Sequence, residues 1–358
     1  MDIDPDVVRK RLDSGETKTE IAKDYGVSRH AIRRLVNRKK KGAVKESELT
    51  KKVHKALQKS GELDVEALAD KFNVPPKKIR DAVEQLAHDG YRVEVDDVSA
   101  VTLHKVPPSR NNLHKSLLEG EEHVIGIVSD THLSSNEEAL EELHLAYDIF
   151  AERGITEVLH AGDWTCGSGI FRGQVSEIKN HTFEQQVDYL VANYPKRDGI
   201  VTRGISGNHD IEGDFGRVGA NPVVALANQR DDIDFLGDYS AWINYGSDNA
   251  PCWMHLLHGK GGMSYSYSYK AQKLADGYRS ERKPAVLAVG HWHVRGAFEA
   301  RGVQVLFPAC FEWQSPFLTR LGLSPAVGFH ILTITIGDDG TLVKMIPEYF
   351  RFVEGRTV

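Results

Sequence analysis

Eight side chains able to bind cations or carry protons stand where apolar runs end: Asp130, His132, Asp163, Asn208, His209, His258, His291 and His293. Val124–Val128 ends in Ser129-Asp130-Thr131-His132, and Val158-Leu159 leads into Ala161-Gly162-Asp163. Ile200–Ile205 runs into Ser206-Gly207-Asn208-His209-Asp210, Trp253–Leu257 into His258-Gly259, and Val286–Val289 into Gly290-His291-Trp292-His293. A lone histidine in such a place is more often a satisfied structural group than a ligand. Here five strand ends each deliver oxygen or imidazole donors, several behind a glycine that lets the backbone come close. Burying these groups together without a cation would leave carboxylates and imidazoles unpaired, which is costly. The pattern therefore points to cation binding.

The elements that must position these residues are short apolar β-runs alternating with helical stretches, Glu137–Arg153 and Thr182–Asn193. Buried strands linked by helices imply an α/β sheet, and such sheets gather polar ligands at the carboxyl ends of their strands. Further β-prone runs follow the last donor: Val303–Phe307, Phe329–Ile336 and Leu342–Ile346, with Gly337-Asp338-Asp339-Gly340 as a hairpin turn. This tail is expected to complete a second sheet and offers no chemistry of its own.

The ordered pieces D-x-H, G-D, G-N-H-[D/E], H and G-H-x-H stand here as Asp130-Thr131-His132, Gly162-Asp163, Gly207-Asn208-His209-Asp210, His258 and Gly290-His291-Trp292-His293. In this the body resembles the calcineurin-like metallophosphoesterases over roughly residues 122–350. The resemblance implies two adjacent divalent transition-metal ions, Mn first and Fe, Zn or Ni as alternatives. Asp130, His132 and His293 would hold one, Asn208, His258 and His291 the other, and Asp163 would bridge them. Mixed imidazole, carboxylate and amide donors suit such ions better than Ca, which takes all-oxygen shells. Two such ions ~3.5–4 Å apart make a hydroxide available near neutral pH for attack on a phosphoester. His209 resembles the family's general acid, which protonates the leaving group. Asp210 has two readings, orienting His209 or capping a local turn. Arg172 and Arg203 are weaker candidates for phosphate contact. Tyr265, Tyr267 and Tyr269 fit either base stacking or a half-exposed strand edge. His160 reads as a supporting group or as packing, and Trp164 and Trp292 as pocket walls.

The front of the chain differs in charge. Residues 1–120 carry 25 Lys+Arg and 20 Asp+Glu, a net of +5, and the remainder carries 20 and 31, a net of −11. Residues 28–59 hold 12 Lys+Arg against two Glu, the footprint of a polyanion-binding module. Residues 5–40 read as three short helices, and Glu20–Ile32, with Ala22 in the first helix and Gly26 at the turn, resembles a helix-turn-helix. Its outward face, the DNA-binding candidate, is Arg29, His30, Arg33, Arg34, Arg38 and Lys39. Helical stretches at Leu49–Lys59, Val65–Phe72 and Pro76–His88, followed by β-runs at Tyr91–Val95 and Val98–Leu103, resemble a winged helix, with a structural spacer as the competing reading.

The expected architecture is thus α/β: a metallophosphoesterase β-sandwich flanked by helices at 122–358, preceded by small all-α helix-turn-helix (1–42) and winged-helix-like (48–106) domains and joined to them by a linker at 107–121. No apolar run approaches the ~20 residues that span a bilayer, the acidic N-terminus lacks a signal's apolar core, and three cysteines fit a reducing cytoplasm. The expected activity is hydrolysis of DNA phosphodiesters by a nuclease or end-processing enzyme, with nucleic acid as partner, no membrane, and a homodimer by analogy to relatives acting on DNA ends. Gly162-Asp163-Trp164-Thr165-Cys166-Gly167 departs from the protein-phosphatase pattern G-D-x-x-D-R-G. A phosphomonoesterase is the alternative enzyme, and a DNA-binding regulator that uses the fold as a scaffold is the alternative of another class.

Overall fold

The computed structural model describes residues 48–96, 98–105, 112–279 and 282–354, together with residues 11, 21 and 23–25. The chain divides into two compact units, 1–48 and 49–358. Of the helix-turn-helix expected at 1–42 only residues 11, 21 and 23–25 are described; Arg29, His30, Arg33, Arg34, Arg38 and Lys39 lie outside the described residues.

The second unit begins with helices α1 (Glu48–Ser60), α2 (Val65–Phe72) and α3 (Pro76–His88) and strands β1 (Glu62–Asp64), β2 (Val93–Val95) and β3 (Ala100–Leu103). Asp64 caps α2 by accepting from the Ala67 N–H, and Asn73 ends it with φ 53°. Pro76 opens α3, where a missing N–H costs nothing. The three strands form one antiparallel sheet in the order β1-β3-β2. Strand β1 gave no sequence signal, because three residues ending in a helix cap are too short for a visible alternation. Val53, Leu57, Leu68, Ile79 and Leu86 share a core with Phe183, Val187, Phe215 and Ala225 of the body. This front piece is therefore fused to the body by apolar packing.

Two six-stranded sheets follow. The first, ordered β15-β14-β5-β6-β7-β8, uses β5 (Glu122–Val128), β6 (Glu157–His160), β7 (Val201–Ser206), β8 (Ile233–Asp238), β14 (Gly328–Ile336) and β15 (Leu342–Arg351). The second, ordered β12-β13-β11-β10-β9-β4, uses β4 (Leu113–Lys115), β9 (Ser240–Asn244), β10 (Trp253–His258), β11 (Val286–Gly290), β12 (Arg295–Ala300) and β13 (Val303–Pro308). Between them lie Ile125, Ile127, Leu159, Ile205, Met254, Leu256, Ala288, Leu306, Leu332 and Ile334. The helices are α4 (Leu140–Glu152), α5 (Phe183–Asn193), α6 (Asn208–Ile211), α7 (Gly213–Arg217), α8 (Pro222–Gln229), α9 (Tyr267–Gly277) and α10 (Pro316–Leu321). Residues of α4, α5 and α8 (Leu143, Phe150, Leu190 and Leu226) cover the outer face of the first sheet. Ala271 and Ala275 of α9 cover the second.

Two expectations change. Leu113–Lys115, read as linker, is an edge strand paired in parallel with β9, Leu113 opposite Trp242. The tail does not go wholly to the second sheet: β13 does, but β14 pairs with β5 and carries β15 with it. In β14, Leu332 and Ile334 face the inter-sheet core while Phe329 and Ile331 face the helices. Two apolar faces are what an inner strand needs. What matters for the site is polarity: β5, β6 and β7 run parallel, as do β10 and β11, so each set presents its carboxyl ends together.

Candidate metal centre

Asp130 and His132 follow β5, Asp163 follows β6, Asn208 follows β7, His258 ends β10, and His291 and His293 follow β11. These seven side chains meet. The donor atoms of Asp130, His132 and His293 lie within 4.8 Å of one another, and so do those of Asp163, His258 and His291. His132 Nε2 faces His293 Nε2 at 3.0 Å, and His293 Nε2 lies 3.7 Å from Asp130 Oδ1. In the second group His258 Nε2 is 3.2 Å from Asp163 Oδ2 and 3.1 Å from Asn208 Oδ1. Asp163 Oδ2 also lies 3.7 Å from His132 Nε2, so one oxygen faces both groups.

The donor set fits divalent transition ions. Two nitrogens at right angles on one ion with bonds of about 2.1 Å stand about 3.0 Å apart, which is the His132–His293 separation. Two neutral imidazoles facing each other share a single proton at most, whereas a cation accepts both lone pairs. The donors are nitrogen and oxygen in mixture, as expected for Mn, Fe, Zn or Ni.

The backbone at the site is unusual. Asp130 (φ 49°), His132 (43°), Asp163 (56°), His291 (90°) and His293 (52°) all adopt the left-handed region, which costs a non-glycine residue about 1–2 kcal/mol. Outliers of this kind persist where the surroundings over-determine them, and they cluster at functional sites. The surroundings here are hydrogen bonds between loops. Asp130 accepts from the His291 N–H at 2.9 and 3.0 Å and from Ser129 Oγ at 2.5 Å. Asp163 Oδ1 accepts from the His209 N–H at 2.8 Å, leaving Oδ2 for the cation side. His258 Nδ1 donates to the Ala161 carbonyl at 2.8 Å. The glycines supply room: a Cβ on Gly207 would lie 2.1 Å from Asp163 Oδ1.

Electrostatics favours ligation. Burial, reinforced by neighbouring histidines, holds His132 well below its ordinary value and brings His291 down to about 4 and His293 to about 3. Their lone pairs are therefore free at neutral pH. Burial also works against charge on His258, but the Asp163 and Asp130 carboxylates outweigh it and raise it to about 9. Burial alone would raise Asp163, yet the positive potential of His258 and His209 holds it well below the usual carboxylate range. Cation binding would release the His258 proton.

His209 stands beside the centre without joining either donor group. Its ring meets that of His132 edge-on at 4.5 Å, and its Nδ1 donates to the Cys166 carbonyl at 2.7 Å. Asp210 does not touch the His209 ring. Its carboxylate accepts from the Gly207 N–H, which caps the local turn, and from the Trp164 and Thr165 N–H groups and Thr165 Oγ1, which tie that turn to the loop after Asp163. His160 joins two donor loops: the Gly162 N–H donates to its Nδ1, its Nε2 donates to Thr131 Oγ1, and Thr131 donates to the Trp164 carbonyl. Trp164 is fully buried beneath these loops rather than lining a pocket.

Other candidates fall away from the chemistry. Arg203 is buried against Glu157 at 2.7 Å and Asp234 at 3.0 Å, and Arg172 is exposed. Tyr265 precedes α9, while Tyr267 and Tyr269 begin it. This stretch is therefore not a strand edge, and all three rings are exposed. Sequence reading missed Cys166, grouped with His132 and His209. Burial, with the carboxylates of Glu312 and Asp163 nearby, keeps its thiol protonated. It also missed Glu312, which lies 3.7 Å from His293. Neither residue occupies a motif position.

Comparison with known proteins follows the same outline. Among solved structures, a novel archaeal phosphodiesterase is 18% identical, over 63% of this chain and 99% of that one, with a TM-score of 0.33. A predicted phosphoesterase from Streptococcus pneumoniae is 16% identical, over 65% and 100%, with a TM-score of 0.31. A 5'-nucleotidase precursor from Thermus thermophilus is 15% identical, over 64% and 54%, with a TM-score of 0.34. Likeness at this level carries no functional weight. No curated protein sequence matches the chain. The family model for the calcineurin-like phosphoesterase superfamily domain matches residues 124–317. That span is more than half of the 358 residues and takes in every donor described above, so the chain belongs to the calcineurin-like phosphoesterase superfamily.

Proposed function

We propose that the chain is a two-cation phosphodiesterase acting on DNA, as a nuclease or end-processing enzyme. The observation that carries the hydrolytic reading is the gathering of seven donor side chains from five strand ends, with Asp163 Oδ2 facing both groups. A pair of divalent ions held there, Mn first, would supply Lewis-acid polarisation of phosphate oxygens and of the attacking water near neutral pH. The remaining work falls to the chain's own residues. His132, His291 and His293, neutral by burial, offer lone pairs. Asp163 presents Oδ2 because Oδ1 is committed to the His209 N–H. His209 commits Nδ1 to the Cys166 carbonyl, so it holds its mobile proton at Nε2 and delivers it there to the departing alkoxide. The loops that carry the donors are tied together before substrate arrives, which limits reorganisation during reaction.

DNA as substrate is supported by the front of the chain. Helix, strand, helix, helix and hairpin over a three-stranded antiparallel sheet resembles a winged helix. Lys77 and Lys78 are exposed at the start of α3, and Arg80 reaches Ser99 beside the hairpin at 2.7 Å. Helix N-termini and basic side chains are common phosphate contacts. The basic stretch 28–59 adds sequence-independent phosphate affinity and offsets the acidic body, which alone would repel a polyanion. The test is incubation with Mn2+ and labelled single- and double-stranded DNA, beside an aryl phosphodiester and an aryl phosphomonoester. Cleavage of DNA and of the aryl diester is expected. Cleavage of the monoester alone would replace this reading with a phosphatase. DNA binding without hydrolysis of any substrate would leave a regulator built on the fold.

A further inference from the structure

Glu312 lies between β13 and α10, outside every motif, and is 7% exposed. Its Oε1 accepts from Ser135 Oγ at 2.8 Å, and Ser135 Oγ in turn accepts from the Glu137 N–H at 3.2 Å. Its Oε2 lies 3.7 Å from His293 Nδ1. That nitrogen is buried and has no hydrogen-bond partner among the described residues. A shift of about 0.5–1 Å would bring the pair into hydrogen-bond range.

The need for such a partner follows from imidazole chemistry. A neutral histidine that gives one lone pair to a cation carries its proton on the other nitrogen, and a buried N–H requires an acceptor. For His258 the acceptor is the Ala161 carbonyl. His293 turns Nε2 toward His132 and Asp130, so its proton belongs on Nδ1, and the carboxylate facing Nδ1 is that of Glu312. Glu312 faces Nδ1 and does not join the donor group of Asp130, His132 and His293, and so is placed to orient the ring rather than to bind the same ion. The residue before Glu312 already braces the group, the Phe311 N–H donating to the Asp130 carbonyl at 3.0 Å; beyond α10 the Ala326 N–H donates to the His293 carbonyl at 2.8 Å.

We propose that Glu312 is a positioning residue for the cation held by Asp130, His132 and His293. Its carboxylate accepts the Nδ1 proton of His293 and fixes the tautomer and ring angle that aim Nε2 at the ion. This rests on the two-cation reading above, so the test counts ions. The full-length protein is stripped of metal and titrated with Mn2+ alone, bound metal being measured by equilibrium dialysis and elemental analysis. The unmodified protein should take up two ions. Glu312→Leu should lose about 10–100-fold in affinity at one site and keep the other within about twofold. Glu312→Gln keeps an acceptor but not the charge and should fall between. Ser135→Ala, which removes the brace on Oε1, should move affinity in the same direction by less. Should Glu312→Leu fail to fold, Glu312→Gln and Ser135→Ala carry the test. Unchanged titrations in folded variants, or equal losses at both sites, would overturn the positioning role, as would a lower melting temperature of the metal-free variant with wild-type uptake. An unmodified protein that binds no Mn2+ would instead overturn the two-cation reading itself.

Discussion

Replacing His209 by alanine separates proton delivery from cation binding. The Cys166 carbonyl has no proton to give, so the 2.7 Å contact fixes the hydrogen on His209 Nδ1 and leaves Nε2 as the atom that exchanges one. In the proposed reaction, departure of a DNA alkoxide needs that proton, whereas an aryloxide leaves without much help. A positioned general acid contributes ~10²–10⁴-fold, or about 3–5 kcal/mol at 1.36 kcal/mol per tenfold. His209→Ala should therefore lower kcat/KM on DNA by that factor and on an aryl phosphodiester by less than about tenfold. Cation uptake should not change, because His209 touches Asp163 through its backbone N–H, which alanine keeps. His209→Asn offers an amide in place of Nδ1 and can still donate to Cys166, but it has no titratable nitrogen at the Nε2 position. It should be as impaired on DNA as the alanine variant. Steady-state rates on both substrates, with metal content measured on the same samples, decide the matter. Equal losses on DNA and aryl diester would refute the proton-delivery role. Recovery by asparagine would show that the contact with Cys166, and not the proton, is what counts.

Three other outcomes are expected. Gly207→Ala would place a Cβ 2.1 Å from Asp163 Oδ1 and 2.5 Å from the Asp163 nitrogen, so the rise in melting temperature on adding Mn2+ should vanish; a wild-type rise would mean that the loop yields. Arg203→Met strands Glu157, whose side chain is fully buried, and should cost about 3–5 kcal/mol in urea unfolding, whereas a loss under about 1 kcal/mol would show that water reaches the carboxylate. Burial holds His255 and His330 at about 4, below the ~6.5 of an unfolded chain. Their contribution is thus complete above pH ~6.5 and is lost as pH falls from there toward about 4, by up to about 3 kcal/mol each. His255→Phe, which keeps the stack on Trp242, should flatten the decline in melting temperature across that window, and an unaltered slope would assign the decline to other groups.

The donors were legible because each ends an apolar run, and a strand leaves its mark on local sequence. The short partners were not. Leu113–Lys115 becomes a strand through pairing with Trp242–Asn244 far along the chain, and three residues carry no alternation of their own. Strand β8, Ile233-Asp234-Phe235-Leu236-Gly237-Asp238, is broken in pattern by a bulge against β7. Tyr265, Tyr267 and Tyr269 alternate like a strand, yet Ala271 and Ala275 set a helical period that packs against the second sheet, and packing prevails over local pattern. Glu312 left no trace at all. A single glutamate after β13 acquires meaning only through the fold that carries it to His293.

The shared core of the front piece could not be read either, since composition does not say which side chains Phe183 and Phe215 meet. It bears directly on the centre. The Asn221 N–H donates to the Gly90 carbonyl at 2.7 Å, and the Asn221 amide donates to Ser206 Oγ at 2.9 Å. Ser206 stands two residues before the donor Asn208. The His54 ring donates to the Val218 carbonyl at 3.1 Å, and Tyr91 pairs with Ala220. These contacts hold α7 and the approach to α8, on which the Asn208 loop rests. Removing residues 48–105 would strip cover from Phe183, Val187, Phe215 and Ala225 and free one end of that loop. The front piece therefore contributes to the geometry of the centre whatever it binds, and the DNA contact proposed for it is separable only by substitution at exposed positions such as Lys77 and Lys78.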